Sequence, residues 1–411
     1  MARTRVHGYD RGAPAPRNKD ARLNSPAKPP PSQEVEVDLR AIHEAKGRLL
    51  SESTLGQVAV TTWVDATESG ANVAVKTLER DGERKYLSDS HPGRLLALLP
   101  VGHLTGVTRR EAAVLRDSLL SQQSQWPGLP VDPVASLYCV DAHPDGLPKQ
   151  LYSADRGIVD WSEFRSVASG LLGIIGANRS LPATLARRTD AIARILYELF
   201  RNTHDHARTS ASHELLARSV RGVHARYYNV DQLRAQLPES QQDFDAIKPD
   251  PAQVYAWAVL RSSIPTSKFQ SPAAIDGLLE LSIFDLGPGL AARWMGADTS
   301  HLPIPAELDA VLNCLTKGGS TTDRFARGFG LWNVLQELRA LRGFIRIRTG
   351  RIHGYREFES KRDAALKDRG QLVGTPKEVL NDWNRPLLTA PSEYPKVTGT
   401  LISVLLPMRN E

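Results

Sequence analysis

The chain has 411 residues, 41% of them apolar and 24% charged, an ordinary balance for a globular protein long enough to hold two or three domains. Its longest apolar runs, LLALLP and ASGLLGIIGA, are about half of the roughly 20 residues that span a bilayer, so no membrane contact is expected. The formal charge of +6 is concentrated in residues 1–31, where seven Lys/Arg face two Asp, which leaves the remainder near neutral and confines any nucleic-acid contact to that basic tail.

Residues 1–35 are Pro-rich and basic and lack the apolar stretch of a secretory signal, so they read as a disordered, solvated arm. Next, VDLRAIHEAKGRLL is expected to be a helix, and LGQVAVTTWV and NVAVKTLE alternate like strands. Thr108 and Glu111 form a capping box ahead of AAVLRDSLL, and VASLYCV reads as a further strand. Residues 36–160 are thus expected to form a small mixed α/β domain, and nothing in them names a chemistry. Cys139 and Cys314 stand 175 residues apart without metal-ligand spacing, which fits buried thiols in a reducing, cytoplasmic setting.

The pattern changes after residue 160. WSEFRSVASGLLGII and TLARRTDAIARILYELFRNTHDHA carry helical spacing, and RGVHARYYNV, LLELSIFD, GFIRIRTG and GTLISVLLP read as strands, with helices AELDAVLNCLT and LWNVLQELRALR between them. The strands alternate too strongly in polarity for a parallel sheet buried on both faces, so a mixed sheet with helices on one face is expected over 161–411. Residues 231–275 and 351–395 read as insertions, with helix starts at Asp250–Pro251 and at Thr375, Pro376 and Glu378.

Three segments carry chemistry. Glu198, Asn202 and His206 fall four residues apart and share one helical face, placing a carboxylate able to deprotonate water beside an amide oxygen suited to Mg²⁺; a plain polar stripe is the alternative. Asp285 ends an apolar strand before Gly287 and Gly289, where a carboxylate accepts from an exocyclic amine and bare backbone admits a flat ring. A tight turn fits the same residues, whereas a dinucleotide fingerprint lacks the second acid-ended strand. Gly319, Ser320 and Thr321 open a loop flanked by Lys317, Arg324 and Arg327, and Gly328 and Gly330 precede a helix, an arrangement that offers N–H groups to phosphate or serves as a flexible hinge. No P-loop pattern occurs.

In that order, ELFRNTHDHA, DLGPGL, RGFGL and GTLISVLLP resemble the N-box, two glycine boxes and closing strand of the GHKL superfamily, which includes sensor histidine kinases, gyrase B and chaperone ATPases. The run GGST followed by RGFGLWNV is most similar to the lid of carboxylate-sensing kinases. The resemblance covers residues 190–407 and implies a two-layer, Bergerat-type ATP-binding fold. It implies Glu198 as general base, Asn202 as Mg²⁺ ligand and Asp285 as acceptor from the adenine amine. His206, Lys317, Gly319, Ser320, Thr321 and Arg327 would line the nucleotide together with Gly287, Gly289, Gly328, Gly330 and Leu331, with Thr400 beside the base. Asp205 and Thr322 stand where the resembled pattern carries Lys, and 83 residues separate Asn202 from Asp285, more than in the compact kinases.

With the last block ending at Pro407, the mechanical domains that follow this fold in gyrase-like proteins are not expected. An acceptor His on a dimerising hairpin is not evident either, because His43 lacks the accompanying pattern and His213 falls after the N-box. The expectation is a cytoplasmic Mg-ATP-binding ATPase that acts as a conformational switch on a protein partner or within a homodimer. A histidine or serine protein kinase and a non-hydrolysing ATP-gated adaptor are the alternatives.

Overall fold

The computed structural model describes residues 34–38, 47–69, 72–76, 90–99, 104–105, 108–124, 134–176, 183–216, 219–262, 274–316, 330–358, 379–385 and 388–410. The chain is α+β. Strands β1 (Glu34–Asp38), β2 (Asn72–Lys76) and β3 (Leu104–Thr105) form a small parallel sheet. Helices α1 (Ser51–Glu68), α2 (His91–Leu98) and α3 (Arg109–Ser124) are interleaved with it. Strand β4 (Val134–Val140) and helices α4 (Trp161–Gly176) and α5 (Ala183–His206) follow. Then come β5 (Val220–Asn229), α6 (Val230–Gln236), α7 (Gln241–Ala246), α8 (Pro251–Ser262) and β6 (Ala274–Asp285). The remainder is α9 (Leu290–Met295), α10 (Ile304–Leu315), α11 (Gly330–Leu341), β7 (Phe344–Gly350), β8 (Ile352–Glu357), β9 (Asn381–Asp382) and β10 (Val397–Asn410).

The seven-stranded sheet has the order β4-β5-β6-β10-β7-β8-β9, and every pairing in it is antiparallel rather than mixed. The last strand inserts between β6 and β7, pairing Thr400 with Asp285 on one side and with Thr349 on the other. On one face, Val223, Leu281, Ile283, Ile345, Ile347, Ile402 and Val404 meet α4, α5, α10 and α11. In α5 the core residues Ile192, Ile195, Leu196, Leu199 and Phe200 recur every three to four positions, which is why this segment is helical and which side it buries.

Helices cover the other face too, contrary to the one-sided arrangement expected. Phe284 and Leu401 pack with Val60 and Trp63 of α1 and Leu95 and Leu96 of α2. Leu278, Phe344 and Leu405 pack with Leu233 of α6 and Tyr255 and Val259 of α8, so residues within 231–275 act as a cover for this face. The alternating polar residues of the strands are not solvated here: His224, Arg226, Glu280, Ser282, Arg346 and Ser403 are all buried. Glu280 accepts from Leu50 N, Ser53 Oγ, Tyr228 OH and Ser282 Oγ, and Arg226 pairs with Glu52 at 2.6 Å. Burial lowers Arg346 to about 10, and its guanidinium donates to Ser403 Oγ and Leu50 O. Most of this polarity is satisfied internally, as burial of polar groups demands, while His224 Nε2 and Arg346 Nε have no hydrogen-bond partner among the described residues.

Two elements depart from the sequence expectation. Residues 55–64 belong to helix α1, although their Val and Thr content suggests a strand; burial of Ser53, Gly56, Gln57, Val60 and Trp63 follows a helical period. Val37 and Asp38 end β1 and residues 47–50 form a turn, where a helix was expected. The boundary expected at residue 160 also falls inside packed structure, since β4 is an edge strand of the large sheet and α1–α3 cover its second face. The capping box at Thr108–Glu111 is formed, and the helix expected to start at Asp250–Pro251 does so, with Asp250 and Gln253 exchanging hydrogen bonds at its first turn. Residues 1–33 of the tail, His43 and the helix start at Thr375–Glu378 lie outside the described residues; Glu34 and Val35, expected in the disordered arm, belong to β1, and Asn381–Asp382 is a strand. Among the described residues, no helix is long and apolar enough to cross a membrane.

Candidate active site

Helix α5 turns one flank toward α4, through Tyr197 and Phe200, and another toward α11. Glu198 and Asn202 lie on that second flank. Glu198 Oε1 accepts a hydrogen bond from Asn333 Nδ2 at 3.0 Å. A Cβ placed on Gly330 would stand 3.2 Å from Glu198 Oε2 and 3.4 Å from both Asn202 Oδ1 and Nδ2, so the first residue of α11 closes directly over the two side chains. Asn202 Nδ2 is buried and has no hydrogen-bond partner among the described residues, one of eleven buried side-chain atoms there of which this is true. Leu331, the next residue of α11, is buried in the core.

The second cluster lies at the far end of α5. Asp285 ends β6, is buried, and uses Oδ1 to accept from Gly287 N at 2.9 Å and Thr400 N at 3.2 Å. Burial pushes its carboxyl up to about 6, against the lowering effect of those two backbone donors. A Cβ on Gly287 would meet Ala207 Cα at 2.7 Å, so only glycine lets the loop lie on the end of α5. Gly289 has φ 87, and Thr349 Oγ1 accepts from Leu290 N at 3.0 Å while donating to Gly399 O at 3.2 Å. Thr400 Oγ1 is 3.3 Å from Thr349 Oγ1. His206 is the last residue of α5, and its carbonyl accepts from Arg293 Nε and Nη2 at 3.1 and 2.6 Å. Arg293 also reaches Ser210 O and His213 Nδ1, which locks the segment after α5 against α9 and gives His213 a structural contact.

The two clusters therefore sit along one helix. Glu198 and Ala207 are nine positions apart in the sequence, about 14 Å at the rise of an α-helix. Together they place a carboxylate, an amide whose Nδ2 has no partner among the described residues and, at the strand end, a buried acid beside close-packed glycines. Lys317, Gly319, Ser320, Thr321, Arg327 and Gly328 lie outside the described residues.

Four neighbours escaped the sequence reading. Asn333 is one turn into α11, three residues past Gly330, and helical spacing was available to flag it. Thr349, Gly399 and Arg293 act through strand register and loop packing, for which the sequence carries no local signal. Among the described residues no cluster of three or more His, Cys, Asp or Glu is arranged to hold a metal ion. Comparison with protein-family models, with curated proteins and with solved structures found no match to the chain.

Proposed function

We propose that the protein is a GHKL-type ATPase that binds Mg-ATP along the flank of α5 that faces α11, with the adenine at Asp285 and the phosphates toward Glu198 and Asn202. The observation that carries this reading is the Nδ2 of Asn202, buried and without a partner among the described residues, beside Glu198 under Gly330. An amide left without an acceptor there suits a phosphate oxygen, and the absence of a Cβ at residue 330 leaves room for one.

Each end of this flank has a separate task. Asp285 keeps Oδ2 for a ligand amine because Oδ1 already takes two backbone N–H groups. Thr400 and Thr349 hold the glycine turns that a flat ring would pack on. Asn202 offers Oδ1 as the one protein oxygen for Mg²⁺, which is commonly held by one or two protein groups plus substrate phosphates and water. The ion would supply charge neutralisation at the β- and γ-phosphates. Glu198 takes the proton of the attacking water as its oxygen bonds to the γ-phosphorus, and ADP departs with the electrons of the broken P–O bond.

Glu198→Gln tests the assignment. It is expected to bind ATP as the wild type does and to release phosphate about 10²–10⁴-fold more slowly, the range for loss of a general base. Following γ-labelled ATP in the same experiment separates free phosphate from label retained on protein. Wild-type turnover in Glu198→Gln refutes the base assignment, and label on protein in place of phosphate release converts the reading to a kinase.

A further inference from the structure

Asn333 is the side chain that touches the proposed base directly. Its Nδ2 donates to Glu198 Oε1 at 3.0 Å, which occupies one carboxylate oxygen and leaves Oε2 facing the space beside Gly330 and Asn202. A free Glu side chain loses substantial rotamer entropy when held in one orientation, and a single well-aligned amide donor is enough to select one. The donor comes from α11, the helix that begins where the glycine-rich stretch of residues 317–329 ends.

This hydrogen bond is not needed to hold the two helices together. One turn earlier on α5, Arg194 pairs with Glu337 of α11 at 3.0 Å. Beneath both, Leu331, Val334, Leu335 and Leu338 join Ile195 and Leu199 in the core. The α5–α11 contact therefore has its own apolar and ionic fastening, and the Asn333 amide is spent on the carboxylate.

We propose that Asn333 is a positioning residue for Glu198: it fixes Oε1 from α11, so that Oε2 is the oxygen presented to the attacking water. The inference rests on the reading of Glu198 as the base. It makes the orientation of the base a joint product of α5, which carries Glu198, and α11, which carries its donor.

The test uses the full chain with Asn333→Ala, the isosteric Asn333→Asp, Glu198→Gln and the two double variants with Glu198→Gln, plus Glu198→Ala alone and combined with Asn333→Ala. Phosphate release gives kcat and KM, ATP affinity is measured separately, and melting temperatures report folding. The expected result is a kcat lowered about 10-fold or more in Asn333→Ala and at least as far in Asn333→Asp, with KM and ATP affinity within about twofold of wild type. On the Glu198→Gln background neither substitution lowers kcat further, because both act through the same carboxylate. The losses in melting temperature for Asn333→Ala and Glu198→Ala, each of which removes the hydrogen bond, also fail to add, a readout independent of turnover.

Wild-type kcat in Asn333→Asp, which keeps the shape of Asn but not its donor, overturns the proposal while leaving Glu198 as base intact. So does an equal further loss on the Glu198→Gln background, which would place the action of Asn333 elsewhere. If Glu198→Gln itself turns over normally, or the wild type releases no phosphate, the base reading fails and this inference falls with it. Should Asn333→Asp not fold, Asn333→Ala and the melting-temperature cycle decide the matter.

Discussion

Acidification is expected to weaken adenosine binding through Asp285. Its Oδ1 is taken by Gly287 N and Thr400 N, so Oδ2 is both the acceptor proposed for the exocyclic amine and the atom that takes a proton. Once protonated, Oδ2–H faces an N–H donor and the contact is lost. Burial pushes this carboxyl up to about 6, within reach of mild acid. At pH 7.5 it is almost wholly ionised and at pH 5 about one-tenth ionised, so the dissociation constant should rise about tenfold, or about 1.4 kcal/mol. Adenosine is the right probe, because the phosphates of ATP titrate in the same range. Calorimetry at pH 7.5, 6 and 5, with circular dichroism confirming the fold at each pH, reads the effect directly, and binding near pH 6 should release part of a proton. The sign for folding is opposite: a native carboxyl raised above its unfolded value binds more protons than the unfolded chain between about pH 4 and 6, so this group adds stability as binding fades. Asp285→Asn should bind weakly and without pH dependence. A wild-type affinity that is flat from pH 7.5 to 5, with Asp285→Asn binding as tightly, would show that Asp285 does not receive the amine.

Gly287→Ala should destabilise the fold by about 1–3 kcal/mol, the range for forced overpacking, and abolish ATP binding, because its Cβ would meet Ala207 Cα at 2.7 Å and Ala207 Cβ at 2.8 Å. Gly173→Ala in α4, where a Cβ meets nothing within 4 Å, is the matched control and should gain up to about 1 kcal/mol in thermal or urea unfolding. On the second face of the sheet, burial holds His91 and His224 below the ordinary imidazole value, with Glu52, Glu280, Arg226 and Arg94 as the surrounding charges. An unfolded chain binds protons at these sites that the native state refuses, so their contribution to stability is lost as pH falls below about 6.5. Urea unfolding at pH 7.5 and 5.5 should show that loss, and His224→Gln should flatten it; an unchanged slope in the variant would exclude His224 as a source.

What the sequence made legible at the site is what depends on local spacing. Glu198 and Asn202 share a flank because they are four residues apart on a helix, and Asp285 stands beside Gly287 because a strand ends there. The contact between Gly330 and the Glu198–Asn202 pair needs tertiary structure, yet the glycine itself was visible as a helix start. Thr349 was not visible: it reaches the glycine turn only because β10 inserts between β6 and β7, a crossover no local pattern encodes. The larger misreading was of the sheet. Alternation of His224, Arg226, Glu280, Ser282 and Arg346 with apolar residues reads as a solvated face, and the structure buries that face under α1, with Arg226 paired to Glu52 and Glu280 hydrogen-bonded to Tyr228. Binary patterning assumes that polar means exposed, and it fails where a second polar layer is supplied from far away in the sequence.

That buried polar layer has a consequence for the pocket. Apolar contacts such as Trp63 with Phe284 and Leu401 favour α1 lying on the sheet but do not by themselves select one register. The directional contacts do: Glu52 with Arg226, Ser53 with Glu280, Gln57 Nε2 with Arg348 O at 3.2 Å, and Thr61 Oγ1 accepting from Thr398 N at 2.9 Å. Sliding α1 by one turn would leave Arg226 and Glu280 buried with fewer partners, a cost of several kcal/mol for a charge stripped of its counter-ion. The register so chosen sets Gln57 and Thr61 against the backbone of β7 and β10 one or two residues from Thr349, Gly399 and Thr400, which hold the turn beside Asp285. The adenine end of the proposed site is therefore built on strands clamped from both faces. Residues before position 160 belong to its scaffold as fully as the helix that carries Glu198.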